Sequence, residues 1–338
     1  MINKWLCIIV LCCCFVLNAQ QITGTVLDKT TKQAIESASI YFDNTTIGTS
    51  TNPKGEFSIP FKEEIKSPLI ISFLGYKDVI IGNYKNNDNL NILLEESIDN
   101  LGEVVINYDD GLTRRQKLRL FRKEFLGSSE FASSCKILNE GDLILRYNRE
   151  EKVLSANARA PIIIRNKKLQ YILEYDIIDF DIYFRYADLI KQQFSVNGVT
   201  FSGTTFFKNL EDSQKKKIIK NRKKAYKGSV QHFMRALYAK NLENEGYQIF
   251  RDKFIVNPWE HITVTNLEES DWRKVTFKNK LTILFDKDVQ SSIQLITDFF
   301  YVDKYGNYSP IEGVLFSLEM GNQRLGDALP SDYNVNSN

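Results

Sequence analysis

The sequence has little cysteine, little histidine and little net charge, and each shortage excludes a class of protein. Four of its five cysteines precede residue 15, so a chain cleaved beyond that point keeps only Cys135 and closes no internal disulfide. We expect this thiol to act as a small buried hydrophobe rather than a nucleophile. Histidine occurs only at His232 and His261, which leaves a zinc site short of ligands, so we expect no metal and no cofactor. A formal net charge of +2 favours neither nucleic acid nor an acidic substrate as a partner.

The first 19 residues have the pattern of an export signal. Lys4 gives a positive start, residues 6–17 form an apolar run without charge, and Ala19 ends it with a small residue suited to cleavage. The run is shorter than the ~20 residues of a membrane-spanning helix, which favours cleavage over a retained anchor. Lipid attachment to a cysteine of the run is a further alternative, but none of these cysteines follows a small residue. We therefore expect export to the periplasm or outer membrane, with a mature chain starting near Gln20.

Residues 20–96 have the pattern of a small all-β domain. Short runs alternate apolar and polar residues, and turn residues separate them at regular intervals. Asn52-Pro53-Lys54-Gly55 fits a β-turn in which proline fixes φ at the second position. The apolar positions expected to point inward are Ile22, Val26, Ala38, Ile40, Phe42, Phe57, Ile59 and Phe61.

Three segments of this region, Ile22–Asp28, Gly48–Phe57 and Ile71–Tyr76, follow one another in the order and spacing of a known domain. The region resembles the carboxypeptidase-regulatory-like domain that many Gram-negative bacteria place at the start of exported envelope proteins. The resemblance implies a transthyretin-like β-sandwich over residues 20–96. It does not imply carboxypeptidase activity, because the zinc site of those enzymes lies in another domain and neither histidine here begins a His-x-x-Glu pair.

The segment Asn100–Ile106, with sequence NLGEVVI, resembles the one that joins this domain to the plug and barrel of TonB-dependent receptors. The chain that follows is too short for the barrel of such a receptor, and a small barrel is the less favoured alternative. We expect residues 97–110 to be a linker in which Val104–Ile106 pairs as an edge strand. We expect residues 111–338 to be an α+β domain with mainly antiparallel strands, so that the protein as a whole is α+β.

Three helices are predicted in this second region. Thr113–Leu126 has Leu118, Phe121 and Phe125 on one face and basic residues elsewhere, with Gly127 as a stop. Glu211–Lys227 is a second, strongly basic helix. A third begins at the N-cap Ser229 and presents a buried face that ends at Gly246. Packing against their own domain is favoured for the basic helices, with contact to an anionic membrane or glycan surface as the alternative.

Strands are predicted between and after these helices. Asp176, Asp179 and Asp181 lack the spacing of a calcium loop and are expected to face solvent. Asp303–Asn307 is expected to reverse the chain, with Gly306 at positive φ. The strands expected before the second helix are Leu143–Arg146, Val153–Ala156, Pro161–Ile164, Leu169–Tyr175 and Ile182–Tyr186.

Two classes of function fit these patterns. The first is an exported, non-catalytic envelope protein that binds a partner protein or a glycan through its sandwich and its second domain. The second is a hydrolase in residues 111–335, with carboxylate chemistry like that of a glycosidase. Ser229 next to His232 gives no nucleophile elbow and no oxyanion donor, so a structural histidine is favoured. The candidate catalytic residues of the hydrolase are His232, His261, Glu245, Glu260 and Asp271.

Overall fold

The computed structural model describes residues 20–61, 66–84, 89–97, 110–268 and 270–335. The chain forms two compact units. The first contains Met1–Asp43 and Ile47–Glu103, and the second contains Asn44–Thr46 and Val104–Asn338. The predicted export signal, most of the predicted linker and the predicted strand Val104–Ile106 lie outside the described residues.

The first unit is a sandwich of two small sheets. Its strands are β1 (Gln21–Asp28), β2 (Ser39–Phe42), β3 (Gly48–Ser50), β4 (Glu56–Pro60), β5 (Leu69–Ser72), β6 (Val79–Ile81) and β7 (Asn89–Leu94). One sheet has the order β4-β1-β7 and the other the order β3-β2-β5-β6. β1 pairs antiparallel with β4 and parallel with β7. The all-β sandwich predicted for this region is confirmed.

The core of the sandwich follows the apolar alternation of the sequence. All but one of the apolar positions predicted to point inward are buried, and Phe61 is half-buried at the margin. Gly24 interrupts the alternation in β1, because a Cβ there would lie 2.5 Å from the carbonyl oxygen of Leu90 and 2.7 Å from the ring of Phe57. The predicted turn is also present: the Gly55 N–H donates to the Asn52 carbonyl at 2.8 Å.

The second unit begins with a helix that lies on a six-stranded sheet. The helix is α1 (Arg114–Leu126). The strands of the sheet are β8 (Cys135–Ile137), β9 (Leu143–Asn148), β10 (Val153–Ala158), β11 (Ile162–Asn166), β12 (Tyr171–Asp188) and β13 (Gln193–Asn209). The order is β8-β11-β12-β10-β9, and β13 pairs with β12 along its length. Phe121 and Phe125 of α1 stack on each other and pack against Phe180 of β12. The predicted α+β class with antiparallel strands is confirmed.

Thr113 caps α1 through a capping box with Gln116, and Gly127 ends the helix as predicted. Three of its basic side chains bind neighbouring groups of the unit. Arg114 donates to the carbonyls of Glu140 and Leu143, Lys117 pairs with Asp110, and Arg122 pairs with Glu140. The membrane-surface contact of this helix stays a prediction.

Further elements form the rest of the second unit. The strands are β14 (Tyr247–Arg251), β15 (Phe254–Val256), β16 (Ile262–Asn266), β17 (Arg273–Phe277), β18 (Leu281–Phe285), β19 (Val289–Leu295), β20 (Phe300–Val302), β21 (Tyr308–Ser309) and β22 (Val314–Leu318). The helices are α2 (Lys216–Tyr226), α3 (Val230–Tyr238), α4 (Pro258–His261) and α5 (Glu319–Asn322).

Two sheets and α3 enclose a second core in this unit. Their orders are β15-β14-β18-β19-β22 and β16-β17-β20-β21. Phe233 and Leu237 of α3 are fully buried between them. The predicted reversal after β20 is present, with Gly306 at φ +84°. No described helix has the length and apolar character needed to cross a membrane.

Four predicted elements differ from the structure. The strands predicted at 169–175 and 182–186 are parts of the single strand β12, because β13 pairs with the intervening polar residues as well. The predicted helix from Glu211 starts with a 3-10 turn, and its α-helical part begins at Lys216. α3 ends at Tyr238, whereas the buried face was predicted to continue to Gly246; Leu242, beyond the end of the helix, is buried.

Residues 325–333 return to the core beneath α1. Leu325, Leu329 and Tyr333 are buried in the same cluster as the side chains of α1 and β12. The chain passes close to α1, since a Cβ on Gly326 would lie 2.4 Å from the Leu126 carbonyl oxygen. The first core of the second unit is therefore built from both ends of that unit.

Candidate functional site

A cavity of about 410 Å³ lies beside the start of α3 in the second unit. Its lining combines aromatic rings, both signs of charge and amide groups. The lining residues are Tyr226, Lys227, His232, Arg235, Asn244, Glu245, Gly246, Phe285, Asp286, Asn334 and Val335.

Two glycines let separate segments meet at this cavity. Gly228, at φ +73°, joins α2 to α3, and a Cβ there would lie 2.8 Å from the Phe285 ring. Gly246, at φ +86°, precedes β14, and its carbonyl accepts the Asp286 N–H at 3.0 Å. A left-handed backbone favours glycine at both places. The end of β18 is thereby held against both the start of α3 and the start of β14.

His232 is buried, with 4% of its surface exposed, and both its ring nitrogens are hydrogen-bonded. Nδ1 lies 3.1 Å from the Gly228 backbone nitrogen and 2.9 Å from the Tyr247 hydroxyl. Because the Gly228 N–H can only donate, Nδ1 is an acceptor and the proton of the neutral ring resides on Nε2. Nε2 then donates to Glu245 Oε2 at 3.0 Å. These bonds fix the tautomer and the orientation of the ring.

Aromatic rings enclose the imidazole. The ring centroids of Tyr226, Tyr247 and Phe285 lie 4.7, 5.1 and 5.5 Å from that of His232. Burial lowers the pKa of His232, and the bond to Glu245 opposes that effect. Burial also raises the pKa of Tyr226 and Tyr247, which favours the neutral phenol at both positions. The floor of the cavity is thus neutral and apolar beneath a polar rim.

Arg235 brings a fixed positive charge to the wall. Its guanidinium donates to the carbonyl oxygens of Tyr305, Ser331 and Tyr333, at 2.8, 2.8 and 2.9 Å. The same group lies 5.3 Å from the centre of the Tyr226 ring. Three bonds to backbone oxygens hold this cation in place, and they tie α3 to the segment that carries Asn334.

The structure brings together only two of the five candidate catalytic residues, His232 and Glu245. His261 lies 3.3 Å from Arg251, at the end of β14 opposite to Tyr247. Arg251 lies four residues along β14 from Tyr247, a distance of about 13 Å. The two histidines therefore lie in different parts of the second unit.

The remaining candidates and the neighbouring serine make no catalytic group with His232. Glu260 is exposed on the short helix α4 and accepts a bond from Asn257, and Asp271 is exposed in the loop before β17. The Ser229 hydroxyl accepts the backbone N–H of His232 at 3.0 Å, as a helix cap does, rather than bonding to the imidazole. Its predicted role as N-cap is confirmed.

Sequence reasoning missed Phe285 and Asp286, which line the cavity from the end of β18. They lie 40 and 41 residues beyond Glu245, and only the pairing of β14 with β18 brings them to it. Cys135, the one cysteine among the described residues, lies elsewhere, half-buried against the core beneath α1, where burial raises its pKa to about 12. Within the described ranges, histidine, cysteine and acidic residues form no group of three or more that could hold a metal ion.

Comparison with known proteins gives one family and several distant structural likenesses, which include the following three. No curated protein matches the sequence. A 9R-lipoxygenase from Cyanothece PCC8801 aligns at 9% identity and a TM-score of 0.18, over 65% of this chain and 48% of that enzyme, so the chain spans about half of its length. A "putative carbohydrate binding protein" from Bacteroides uniformis ATCC 8492 aligns at 9% identity and a TM-score of 0.17, over 88% of this chain and 98% of that one.

The third likeness is a "putative membrane-associated protein of unknown function" from Bacteroides fragilis NCTC 9343, at 12% identity and a TM-score of 0.18, over 88% of this chain and 94% of that one. At these TM-scores no shared fold is established. The family model of the CarboxypepD_reg-like domain matches residues 22–106, and the described part of that range is the β-sandwich of the first unit. Residues 22–106 are therefore a CarboxypepD_reg-like domain.

Proposed function

We propose that this protein is an exported, non-catalytic component of the cell envelope that binds a glycan, with one sugar unit held in the cavity beside α3. One observation carries the proposal: both nitrogens of the only histidine at the cavity are held in hydrogen bonds, while acidic, basic and amide groups line an open space of about 410 Å³. The site is built to hold a polar ligand rather than to move a proton.

The lining matches the chemistry of a sugar. Sugar hydroxyls both donate and accept, so they pair with the carboxylates of Glu245 and Asp286, the ammonium group of Lys227 and the amide of Asn244. The ring of Phe285 offers an apolar surface to the C–H groups of a pyranose. The volume lies within the ~300–1,000 Å³ of small-molecule sites.

Catalysis by histidine is disfavoured by the same geometry. A general base needs a free nitrogen within reach of the proton that it takes. Nδ1 of His232 accepts from Gly228 and Nε2 donates to Glu245, and the 4% exposure of the residue leaves little room for a substrate atom. The Ser229 hydroxyl is already hydrogen-bonded as the N-cap of α3.

A carboxylate hydrolase is the second candidate, because Glu245 and Asp286 line the same cavity. The bond from the Asp286 N–H to the Gly246 carbonyl sets the two acidic residues on adjoining strand ends. A glycosidase uses two such carboxyl groups, one of them protonated in a water-poor position. Here the Glu245 side chain is 47% exposed and Asp286 is also exposed, which favours binding over hydrolysis.

The two candidates are separated by measuring binding and product release on the same protein. Isothermal titration of the full chain with hexoses, N-acetylhexosamines and uronic acids is expected to give binding to at least one class. Asp286→Asn is expected to weaken that binding at least about tenfold, since a hydrogen bond to a charged group contributes about 1.5–3 kcal/mol. Asp252→Asn, exposed in the β14–β15 turn, is the matched control and is expected to bind normally.

Release of product from chromogenic glycosides decides the alternative. Turnover that is lost in Glu245→Gln and in Asp286→Asn would establish the hydrolase and refute the binding proposal. If none of these sugars gives binding or turnover, both candidate functions are refuted.

Export to the envelope is the second part of the proposal. It is supported by the apolar run at residues 6–17 and by the CarboxypepD_reg-like domain at 22–106. Cell fractionation is expected to place the protein in the envelope, and Ile9→Lys, which breaks the apolar run, is expected to leave it in the cytosol. An envelope protein that binds the sandwich is expected to be crosslinked by the full chain and lost on deletion of residues 20–96.

A further inference from the structure

The five-stranded sheet of the second unit has a second face that carries no charged side chain. Ile249, Ile283 and Ile293 point into the core, so their strand neighbours point to the other side. We call these neighbours the outer face: Gln248, Phe250, Ile255, Thr282, Leu284, Gln290, Ser292, Gln294, Leu315 and Ser317. One row crosses all five strands, because Ile255 pairs with Phe250, Phe250 with Thr282, Thr282 with Ser292 and Ser292 with Ser317.

The outer face differs in composition from the chain as a whole. Charged residues form 25% of the chain, yet all ten positions of this face are amides, hydroxyls or apolar groups. Solvent-facing sheet positions commonly carry lysine or glutamate, which keep sheets from associating. A ligand with charges of its own would find no partner here, so the face fits an uncharged one.

The apolar residues of the outer face belong to no core. Phe250, Leu284 and Leu315 are absent from the three hydrophobic clusters of the described residues. Leu315 is 49% exposed and Ile255 63% exposed. Since these side chains do not stabilise the interior, they are available to a bound surface.

Ser292 lies at the middle of the outer face and gives independent support for a ligand there. It is 2% exposed, and among the residues that the structure describes its hydroxyl alone is buried without a hydrogen-bond partner. Buried polar groups in proteins are nearly always paired, so an unpaired one marks a place where a partner is missing. Its cross-strand neighbours, Thr282 and Ser317, add further hydroxyls to the row.

The size of the outer face decides between occupants. Five strands about 4.8 Å apart, with outward residues about 6.7 Å apart along two or three positions, give an area of roughly 300 Å². A stable protein interface buries about 800 Å² on each partner. The outer face is therefore too small to form a stable interface with a second copy of the chain or with a globular partner. A narrow, extended ligand matches its dimensions.

We propose that the outer face binds a neutral polysaccharide, laid across the strands along the row from Ile255 to Ser317. Sugar hydroxyls would pair with the amides of Gln290 and Gln294 and the hydroxyl of Ser292, and sugar C–H groups would pack on Phe250. This site is separate from the cavity beside α3 and goes beyond the sugar proposed for that cavity.

Affinity gel electrophoresis tests the proposal on the full-length protein. The probes are three neutral polysaccharides, dextran, laminarin and galactomannan, with polygalacturonate as a charged comparison. We expect at least one neutral polymer to retard the protein. Leu315→Lys places a charge on the outer face and is expected to weaken that retardation at least about tenfold, because a buried charge without a partner is strongly unfavourable.

Two controls fix the location of the site. Phe254→Lys makes the same kind of change at a residue that is 73% exposed on β15 but points away from the outer face, and it is expected to leave retardation unchanged. Asp286→Asn tests the cavity in the same assay: retardation that is lost in Asp286→Asn but kept in Leu315→Lys would place the polymer in the cavity instead.

Three results would overturn the proposal: no retardation by any neutral polymer, equal retardation of Leu315→Lys and the native chain, or a stronger effect of polygalacturonate. A dimer in sedimentation velocity that Leu315→Lys dissociates would assign the outer face to self-association instead.

Discussion

Replacing His232 should destabilise the second unit in a graded way that depends on which nitrogen is preserved. In His232→Ala the Gly228 N–H and the Tyr247 hydroxyl, both buried, lose their acceptor. An unsatisfied buried group costs about 1–3 kcal/mol, and the missing ring leaves a hole between Tyr226 and Phe285, so we expect a loss of about 3–5 kcal/mol in the free energy of unfolding. In His232→Asn the amide oxygen takes the place of Nδ1, and we expect a loss of about 1–2 kcal/mol.

Tryptophan fluorescence in urea measures this difference directly. Beyond the first 19 residues the chain has only Trp259 and Trp272, and both lie in the second unit. His261→Asn is the matched control. Because the half-buried His261 ring bonds to Arg251 at 3.3 Å and lies outside the cavity, a change within about 0.5 kcal/mol is expected. Equal losses for His232→Asn and His232→Ala would refute the role assigned to Nδ1.

The same variants should differ from the native protein in their response to pH. Burial lowers the pKa of His232 in the folded state below its ordinary value of 6.5. As pH falls through that value the unfolded chain takes up a proton before the folded one does, so stability decreases by up to about 1.4 kcal/mol per pH unit until the folded pKa is reached. This contribution should be absent from both variants. A native-minus-variant difference that stays constant between about pH 7.5 and pH 5 would contradict it.

Three further predictions concern other parts of the chain. Gly24→Val should destabilise the sandwich by about 1–3 kcal/mol or more, because its Cβ would lie 2.5 Å from the Leu90 carbonyl oxygen; hydrogen exchange of β1 amides measures it, and unchanged protection would count against the close packing. Cys135, whose pKa burial raises to about 12, should react with iodoacetamide far more slowly in the folded protein than in urea; mass spectrometry follows the reaction, and fast labelling of the folded chain would contradict the burial. Thr113→Ala should lower the stability of the second unit by about 1 kcal/mol and Thr113→Ser by much less, as measured by urea unfolding; equal losses would show that the cap contributes nothing.

Local patterns in the sequence predicted much of the fold. Alternation identified β1 and β4, Pro53 and Gly55 identified a turn, and Thr113 and Gly127 identified both ends of α1. These features depend on residues close together in sequence, where propensity and capping decide the outcome.

Features that depend on distant pairing were predicted less well. β12 was divided in two because Asp176–Asp181 interrupts the apolar alternation, and only the pairing with β13 reveals a continuous strand with a register shift at Ile178. The cavity likewise needs β18 beside β14, and nothing near Glu245 in the sequence announces Asp286. The site residues predicted by type, His261, Glu260 and Asp271, lie elsewhere for the same reason.

The return of residues 325–333 to the core beneath α1 sets the order in which the second unit is completed. Leu325, Leu329 and Tyr333 fill a cluster whose other members lie between residues 112 and 226. A chain that emerges from a ribosome or a translocation channel from its first residue onward can pair β12 with β13 early, since a hairpin is local. It cannot close that core until about residue 333 has emerged. The core beneath α1 is therefore completed only after the residues of α3 and its two sheets have emerged. Until then this core stays incomplete, and an incomplete core is what threading through a translocation channel would need if the proposed export holds.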